Sequence, residues 1–301
     1  MIERIIESAI SNDFPRKKVI VLLGARQVGK TTLLESLRKK GQKVFSVNCD
    51  DMDDVLLIEE KTSTELRALL APYDLVFIDE AQRVKNIGLT LKKIGDLKLD
   101  TQVVVTGSSS LELADEVNEP ATGRLIEYRL FPFSLSELAT HTSEREEQRM
   151  LEQRLIYGLY PEVVTFPGDA KRTLMTLANN YLYKDLLALE DIRRPALLEK
   201  LLIALALQVG SEVSYNELAQ TVGSDSKTVE KYIDLLEKCY IVFRLNAFNR
   251  NLRNELKKSK KVYFYDNGIR NAVIQNFAPL ALRNDTGALW ENFFISERIK
   301  A

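Results

Sequence analysis

The sequence predicts an α/β fold in which a parallel sheet has helices on both faces. Between Lys17 and about Phe133, apolar runs that are typical of buried strands alternate with segments of helical periodicity. One run leads through a glycine-rich loop straight into a helical pattern, and another ends in a pair of acids. The runs comprise residues 19–23, 43–48, 75–78, 102–105 and 125–130.

The glycine-rich loop, residues 24–31, reads G-A-R-Q-V-G-K-T. Its glycines permit a tight turn in which backbone N–H groups approach an anion closely. Lys30, where the helix should begin, can reach the β- and γ-phosphates of a nucleotide, and the Thr31 hydroxyl can bind Mg²⁺. The alternative is a chance glycine-rich turn. The predicted nucleotide contacts are Gly24, Ala25, Gln27, Val28, Gly29, Lys30, Thr31 and Thr32.

The run at 75–78 ends in Asp79-Glu80. Acids at the carboxyl end of a buried parallel strand lie where open α/β sheets bind ligands. We expect Asp79 to hold Mg²⁺, directly or through water, and Glu80 to orient and deprotonate the attacking water. The alternative is that Glu80 caps the next helix, near Ala81 or Val84.

The run at 102–105 ends in T-G-S-S-S. Thr106 and Ser108 are candidates for a polar side chain that senses the γ-phosphate, and Ser109 is a third. Each hydroxyl could equally cap a helix that begins at Leu111.

Composition excludes several classes of protein. The 42 basic and 43 acidic residues give a net charge of −1, which predicts no general attraction to nucleic acid or anionic lipid. No apolar run approaches the roughly 18 residues of a transmembrane helix, and no secretory signal opens the chain. Cys49 and Cys239 are too far apart to suggest a disulfide framework or a zinc site. His141 is the single histidine, which excludes histidine-based triads and multi-histidine metal sites. We expect a cytoplasmic protein.

The second half reads differently. Residues 143–153 are dense in Glu, Arg and Gln and predict an exposed helix, and helical patterns follow at 170–190 and 195–209. Ser214 and Glu217 form a capping-box pattern before a helix, a glycine turn and a second helix. Strands at 240–245 and 262–265 complete the order of a winged helix-turn-helix. The predicted domains are an ATPase-like core at 1–142, a helical lid or linker at 143–210, the winged helix-turn-helix at 211–266 and an incomplete domain at 267–301.

Charge suggests a partner for the winged module. Its second helix should present lysines outward, so residues 224–261 could contact the phosphates of duplex DNA. No aromatic residues interleave this patch. The outward face of the helix also lacks an Asn or Gln that would indicate base readout. A role as lid or protein dock is the alternative. The charged residues are Lys227, Lys231, Asp234, Lys238, Arg250, Arg253, Glu255, Lys257, Lys258, Lys260 and Lys261.

Several stretches resemble prokaryotic AAA-type ATPases that carry a winged helix and an uncharacterised C-terminal domain. They are G-A-R-Q-V-G-K-T-T, L-V-F-I-D-E-A-Q, V-V-V-T-G-S-S-S, T-G-R-L-I-E-Y-R-L-F-P-F-S, Y-G-L-Y-P-E-V, K-V-Y-F-Y-D-N-G-I-R-N-A-V and G-A-L-W-E-N-F-F-I-S-E. The resemblance implies that the 102–105 strand lies between the strands that precede Lys30 and Asp79. It implies that Arg124 is an arginine finger for a neighbouring subunit, and a finger acting in trans implies a homo-oligomer. The alternatives are that Arg124 is a surface residue and that the protein is a monomeric switch. Arg26 also matches the family but is left out of the catalytic set.

Members of that family continue into a restriction-endonuclease-like domain with a metal-binding Asp and a Glu-x-Lys. Glu291 matches the acidic position on its first helix, but the later acids are absent from this sequence. We therefore predict no nuclease activity for these residues. Ending inside a helical pattern, the chain is expected to be either truncated or naturally without that part.

Together these observations predict a P-loop NTPase core followed by a helical lid and a winged helix-turn-helix. The predicted activity is Mg²⁺-dependent ATP binding and hydrolysis, with nucleotide between the sheet and a lid after about residue 143, so that hydrolysis moves the winged helix. The alternative is a nucleotide-gated DNA-binding regulator or defence protein with negligible turnover. No N-K-x-D string or kinase catalytic loop indicates a GTPase or a kinase, and the choice of adenine comes from the resemblance.

Overall fold

The computed structural model describes residues 2–108, 123–182, 194–245 and 260–300. The chain divides into two compact units, Met1–Leu130 and Phe131–Ala301. Among the described residues, no helix combines the length and apolar character needed to cross a membrane.

The described residues of the first unit form a five-stranded parallel sheet in the order β2–β3–β4–β1–β5. Strand β4 lies between β1 and β3, as the resemblance implies, and the predicted α/β class is confirmed. The three central strands are buried almost throughout, while the edge strands β2 and β5 are partly exposed. The strands are β1 (Val19–Leu23), β2 (Val44–Asn48), β3 (Leu75–Asp79), β4 (Gln102–Gly107) and β5 (Leu125–Arg129).

Helices connect these strands. Helix α2 begins at Lys30, as predicted, and α4 begins at a capping box formed by Thr62 and Glu65. Because all the strands run parallel, the loops after β1, β3 and β4 meet at one edge of the sheet. The helices are α1 (Ile5–Asp13), α2 (Lys30–Ser36), α3 (Met52–Ile58), α4 (Ser63–Leu70) and α5 (Ile87–Asp96), with 3₁₀ helices at Phe14–Arg16 and Ala81–Arg83.

The second unit is mainly helical and carries a small antiparallel sheet in the order β6–β8–β7. Its first helices are α6 (Leu135–His141), α7 (Glu144–Tyr157), α8 (Pro161–Thr165) and α9 (Ala170–Thr176), which continues as a π-helical turn at Leu177–Leu182. Then come α10 (Pro195–Leu207), β6 (Glu212–Val213), α11 (Tyr215–Val222), α12 (Ser226–Lys238), β7 (Val242–Leu245), β8 (Lys260–Phe264), α13 (Asn267–Val273) and α14 (Thr286–Lys300). Short 3₁₀ helices lie at Pro167–Asp169 and Leu280–Leu282.

The prediction that residues 143–153 form an exposed helix is only partly right. Helix α7 does begin after Ser143, but Glu147 and Arg154 are buried. The Arg154 guanidinium donates two hydrogen bonds to the Glu147 carboxylate, at 2.9 and 3.1 Å. Two helical turns separate these residues, so they share a face, and mutual pairing makes burial of both charges tolerable.

Two helices separated by a glycine turn lie where the sequence predicts them, at α11 and α12. The core-spaced residues of α12, Val229, Ile233 and Leu236, are fully buried. Gly223 adopts a left-handed conformation between α11 and α12, and the Ser214 hydroxyl accepts the Glu217 N–H at 3.4 Å. Strands β7 and β8 pair as an antiparallel hairpin. Residues 246–259, including Arg250, Arg253, Glu255, Lys257 and Lys258, lie outside the described part.

A buried polar network, which the sequence does not predict, ties the second unit together. Burial raises the pKa of Asp266, although its carboxylate accepts the backbone N–H groups of Leu159 and Ile269. The Asn267 amide donates to carbonyl oxygens on α7 and α14, and the Asn292 amide donates to the Phe264 carbonyl oxygen. The segment D-N-G-I-R-N is therefore structural in this unit.

Candidate nucleotide-binding site

The loop that follows β1 has a backbone shape that only certain residues allow. A Cβ at Gly24 would lie 2.2 Å from the Leu130 carbonyl oxygen, so this position admits no side chain. Gln27 (φ 60°) and Gly29 (φ 95°) are left-handed, which turns the chain sharply before α2 begins. The loop is therefore a compact concave turn in which backbone N–H groups can converge on an anion.

Lys30 holds a positive charge inside this loop. The residue is 5% exposed, and its ammonium donates to the carbonyl oxygens of Gly24 and Ala25, both at 3.0 Å. It also lies 4.0 Å from Oε1 of Glu80. The buried ammonium therefore stands between the loop and the end of β3.

The loop after β1 and the end of β3 meet through two side chains. The Thr31 hydroxyl donates to Oδ2 of Asp79 at 2.8 Å, and the Thr106 hydroxyl donates to Oδ1 of the same carboxylate. Thr106 also accepts the Glu80 N–H at 3.1 Å. Asp79 is therefore fixed on one side by the loop and on the other by β4.

Glu80 is strained and does not cap a helix. Its backbone is left-handed (φ 53°, ψ 41°), a conformation that costs a non-glycine residue on the order of 1 kcal/mol. It precedes the 3₁₀ helix at 81–83, but its side chain makes no capping hydrogen bond, unlike the alternative considered from the sequence. The carboxylate instead accepts a hydrogen bond from the Gln82 amide at 2.6 Å.

The predicted sensor residues Thr106 and Ser108 have different hydrogen-bond partners. Thr106 bonds to Asp79, whereas Ser108 accepts a hydrogen bond from the Gln82 amide at 2.9 Å. Ser109 and the expected helix start at Leu111 lie outside the described residues. Thr32 is exposed on the first turn of α2.

Two family models match the chain. Residues 16–139 match a model described as an AAA domain, and residues 148–280 match a domain of unknown function, DUF8612. A Walker-type ATPase of Pyrococcus abyssi superposes with a TM-score of 0.58 at 16% identity, covering 91% of this chain and 96% of that one, which shows the fold. The first unit is therefore similar to an AAA domain, and the superposition shows the fold of a P-loop ATPase.

The curated relatives are uncharacterized. A protein of Haemophilus influenzae is 25% identical over 282 residues, which cover 84% of this chain and 68% of that protein. A protein of Mycobacterium tuberculosis is 25% identical over 287 residues, which cover 94% of this chain and 62% of that protein. This chain therefore spans about two thirds of the length of these relatives.

The residues around the loop after β1 suit a magnesium nucleotide. In the described part of the chain, no group of three or more His, Cys, Asp or Glu side chains could hold a metal ion. Mg²⁺ does not need one, because it commonly takes one or two protein ligands, several waters and phosphate oxygens. The adjacent Thr31 hydroxyl and Asp79 carboxylate suit that limited role.

Two residues at the site escaped prediction. Gln82 follows the acid pair by two positions, but its part in bonding Glu80 and Ser108 depends on the fold. Arg4 is 8% exposed, and its guanidinium donates to the Val28 carbonyl oxygen of the loop at 2.9 Å. No spacing in the sequence connects Arg4 with a loop 24 residues away.

Arg124 and Glu291 each form contacts of their own within their units. Arg124 immediately precedes β5, at the amino edge of the sheet and opposite the loop after β1, and it forms an ion pair with Asp96. A role in a neighbouring subunit stays a prediction. Glu291, on α14 of the second unit, accepts hydrogen bonds from Tyr263 (2.7 Å) and Lys261 (2.9 Å), which lower its pKa.

Proposed function

We propose that the first unit binds ATP with Mg²⁺ and hydrolyses it to ADP and phosphate. The observation that carries this proposal is the meeting of the Thr31–Asp79 pair, the buried Lys30 ammonium and the Glu80 carboxylate at one edge of the sheet. In this proposal the loop amides of residues 24–32 and Lys30 bind the phosphates, and Thr31 and Asp79 hold the metal.

Glu80 is the proposed general base. It accepts a proton from water as the water oxygen bonds to the γ-phosphorus, and the bond from that phosphorus to the β–γ bridging oxygen breaks. Bound Mg²⁺ supplies neutralisation of charge on the β- and γ-phosphate oxygens. Thr106 would transmit the state of the metal site to β4, since it bonds both Asp79 and the Glu80 N–H.

Arg124 is proposed to act on nucleotide bound by a second copy of the chain. A guanidinium would stabilise charge developing on the γ-phosphoryl group. Replacing its partner provides the control: Arg124→Ala should lose turnover, and Asp96→Ala should keep it. Equal effects of the two substitutions would reduce Arg124 to a structural partner of Asp96.

For the second unit we propose a winged helix-turn-helix built from α11, α12 and the β7–β8 hairpin, whose response to nucleotide is the output of the ATPase. A second candidate function, nucleotide-gated DNA binding with negligible turnover, is favoured by one contact. The Arg244 guanidinium bonds both Asp234 and Glu237 and so offsets one of their two negative charges, on a helix whose exposed residues also include Lys227, Glu230 and Lys231.

The deciding experiment is Mg²⁺-dependent phosphate release from ATP by wild type, Lys30→Ala and Glu80→Gln, with and without duplex DNA. We expect both variants to lose turnover, while Glu80→Gln keeps its affinity for ATP. If duplex DNA stimulates phosphate release by wild type but not by Lys227→Ala/Lys231→Ala, ATP hydrolysis is coupled to DNA binding by α12. Tight ATP binding without turnover in wild type would refute the hydrolase and favour the DNA-binding alternative.

A further inference from the structure

One side-chain amide links two loops at the carboxyl edge of the sheet. Gln82 lies half-buried in the 3₁₀ helix after Glu80. Its Nε2 donates to Oε2 of Glu80 at 2.6 Å and to the Ser108 hydroxyl at 2.9 Å. Its Oε1 accepts the Ser108 N–H at 3.4 Å. Both ends of the amide are thus committed to this cluster.

Glu80 needs such a support. Its backbone is fixed, because its N–H donates to Asp79 and Thr106, but its side chain has several rotatable bonds. A general base acts only from within hydrogen-bond reach of the water that it deprotonates. Gln82 holds Oε2, and the other oxygen, Oε1, faces the Lys30 ammonium at 4.0 Å.

Ser108 gives the amide a firm anchor. It is 8% exposed at the end of β4, a buried strand held between β1 and β3. Through Ser108, Gln82 ties a side chain on the loop after β3 to the neighbouring strand. A glutamine is suited to this place because a single planar amide donates to a carboxylate and a hydroxyl while accepting from a backbone N–H.

We propose that Gln82 is a positioning residue that holds the Glu80 carboxylate at a fixed position relative to Ser108. This inference rests on the ATP hydrolysis proposed above. Because one amide bonds both residues, a displacement at Ser108 reaches Glu80 through Gln82. Removing a residue that orients a metal ligand typically costs about tenfold to a hundredfold in activity, and we expect a loss of the same order for a residue that orients the base.

The test compares kcat, KM for ATP and nucleotide affinity among matched variants of the full chain. Gln82→Met keeps the length of the side chain without its amide, and Gln82→Ala removes both. Both should lower kcat about tenfold or more while KM changes less than about threefold, since orientation of the base is lost and phosphate binding is kept. Gln42→Ala, which removes a half-buried amide that accepts the Lys39 N–H, is the control and should match wild type.

Variants of Glu80 and Ser108 distinguish a positioning role of Gln82 from a merely structural one. In Glu80→Gln, adding Gln82→Ala should change neither residual turnover nor ATP affinity, because the group to be positioned is gone. Ser108→Ala should lower kcat, Ser108→Thr should restore it, and Gln82→Ala/Ser108→Ala should be no worse than the more damaging single variant.

The outcomes are distinct. If wild type releases no phosphate, the proposed function fails, and this inference fails with it. If wild type turns over and Glu80→Gln does not, but Gln82→Met matches wild type, only this inference is overturned. A further loss of turnover or affinity when Gln82→Ala is added to Glu80→Gln would also overturn it, because Gln82 would then act other than through Glu80.

Discussion

Asp79 accepts threonine hydroxyls on both carboxylate oxygens, from Thr31 on one side and Thr106 on the other. Its neighbour Glu80 is instead held by an amide and faces the Lys30 ammonium. The two adjacent acids thus have different surroundings, although the sequence presents them as a pair. This difference suits separate tasks, metal binding for Asp79 and proton transfer for Glu80.

Gly24→Ala should disrupt the loop. The added Cβ would lie 2.2 Å from the Leu130 carbonyl oxygen, which is backbone and cannot rotate away. We expect a loss of about 1–3 kcal/mol in the free energy of unfolding of the first unit, together with weaker ATP binding. Circular dichroism melts and nucleotide titration measure both. Gly168→Ala, where a Cβ meets nothing within 4 Å, should leave both unchanged.

Asp285 should make the second unit sensitive to acid. Burial alone would raise its pKa, but hydrogen bonds from Arg283 and Arg270 outweigh that effect and lower it from 3.8 to about 2. A carboxyl whose pKa is lower in the folded state stabilises the fold above its unfolded pKa, so its contribution is lost as pH falls from about 4 to about 2.

Because solvent screens this partly exposed carboxyl, Asp285→Asn should cost about 1–2 kcal/mol of unfolding free energy at pH 7, and the difference from wild type should shrink between pH 4 and pH 2. Trp290, the single tryptophan, lies nearby on α14 and reports unfolding by fluorescence. The exposed Asp169 makes no capping bond, so Asp169→Asn is the control and should leave the unfolding free energy at pH 7 unchanged. A constant difference between wild type and Asp285→Asn across this pH range would contradict the account.

For the secondary-structure elements, the apolar content of the sequence predicted where each strand lies along the chain. It did not predict the order of the strands in the sheet. Each predicted strand of the first unit appears, with bounds that differ by at most two residues. The order β2–β3–β4–β1–β5 was available only through the family resemblance, because local patterns carry no information about which strands pair. Helix α7 shows the same limit: its charges predicted exposure, and packing buried Glu147 with Arg154.

Helix α6 should depend on its capping box. The Ser134 hydroxyl accepts the Glu137 N–H at 3.2 Å, and the Glu137 carboxylate accepts the Ser134 N–H at 2.9 Å. Ser134→Ala should lower the unfolding free energy by about 1 kcal/mol, measured by urea titration with Trp290 fluorescence. Thr140 is exposed on the same helix and bonds only to the Ser136 carbonyl, so Thr140→Ala should have little effect. Equal losses in the two variants would rule out the cap as the cause.

For the whole molecule, nucleotide should stabilise the fold by mass action. At about 100 times Kd, Mg²⁺·ATP should add about 2.7 kcal/mol to the unfolding free energy of the first unit. Lys30→Ala should abolish this gain, because it removes the buried ammonium from the loop. Thermal melts followed by circular dichroism measure the effect, and a full gain in Lys30→Ala would exclude the loop as the binding site.

The same melts test coupling between the units. Trp290 lies in the second unit, so its fluorescence reports that unit separately. If nucleotide state controls the second unit, Mg²⁺·ATP should also shift the Trp290 transition. If nucleotide shifts the transition temperature measured by circular dichroism but not the one measured by fluorescence, nucleotide binding stabilises the first unit without affecting the second.

The sequence by itself determined the local features: the strands, the start of α2 at Lys30, the glycine-rich loop before it and the Asp79–Glu80 pair at the end of β3. These depend on residue type and short spacing, which act through backbone sterics, apolar burial and hydrogen bonds between near neighbours. Tertiary structure alone decided that Arg4 supports Val28, that Thr106 bonds Asp79, and that Gln82 joins Glu80 to Ser108. The Arg4–Val28, Thr106–Asp79 and Gln82–Ser108 bonds join residues at least 24 positions apart in sequence. The last two form because parallel strands bring their carboxyl ends to one edge.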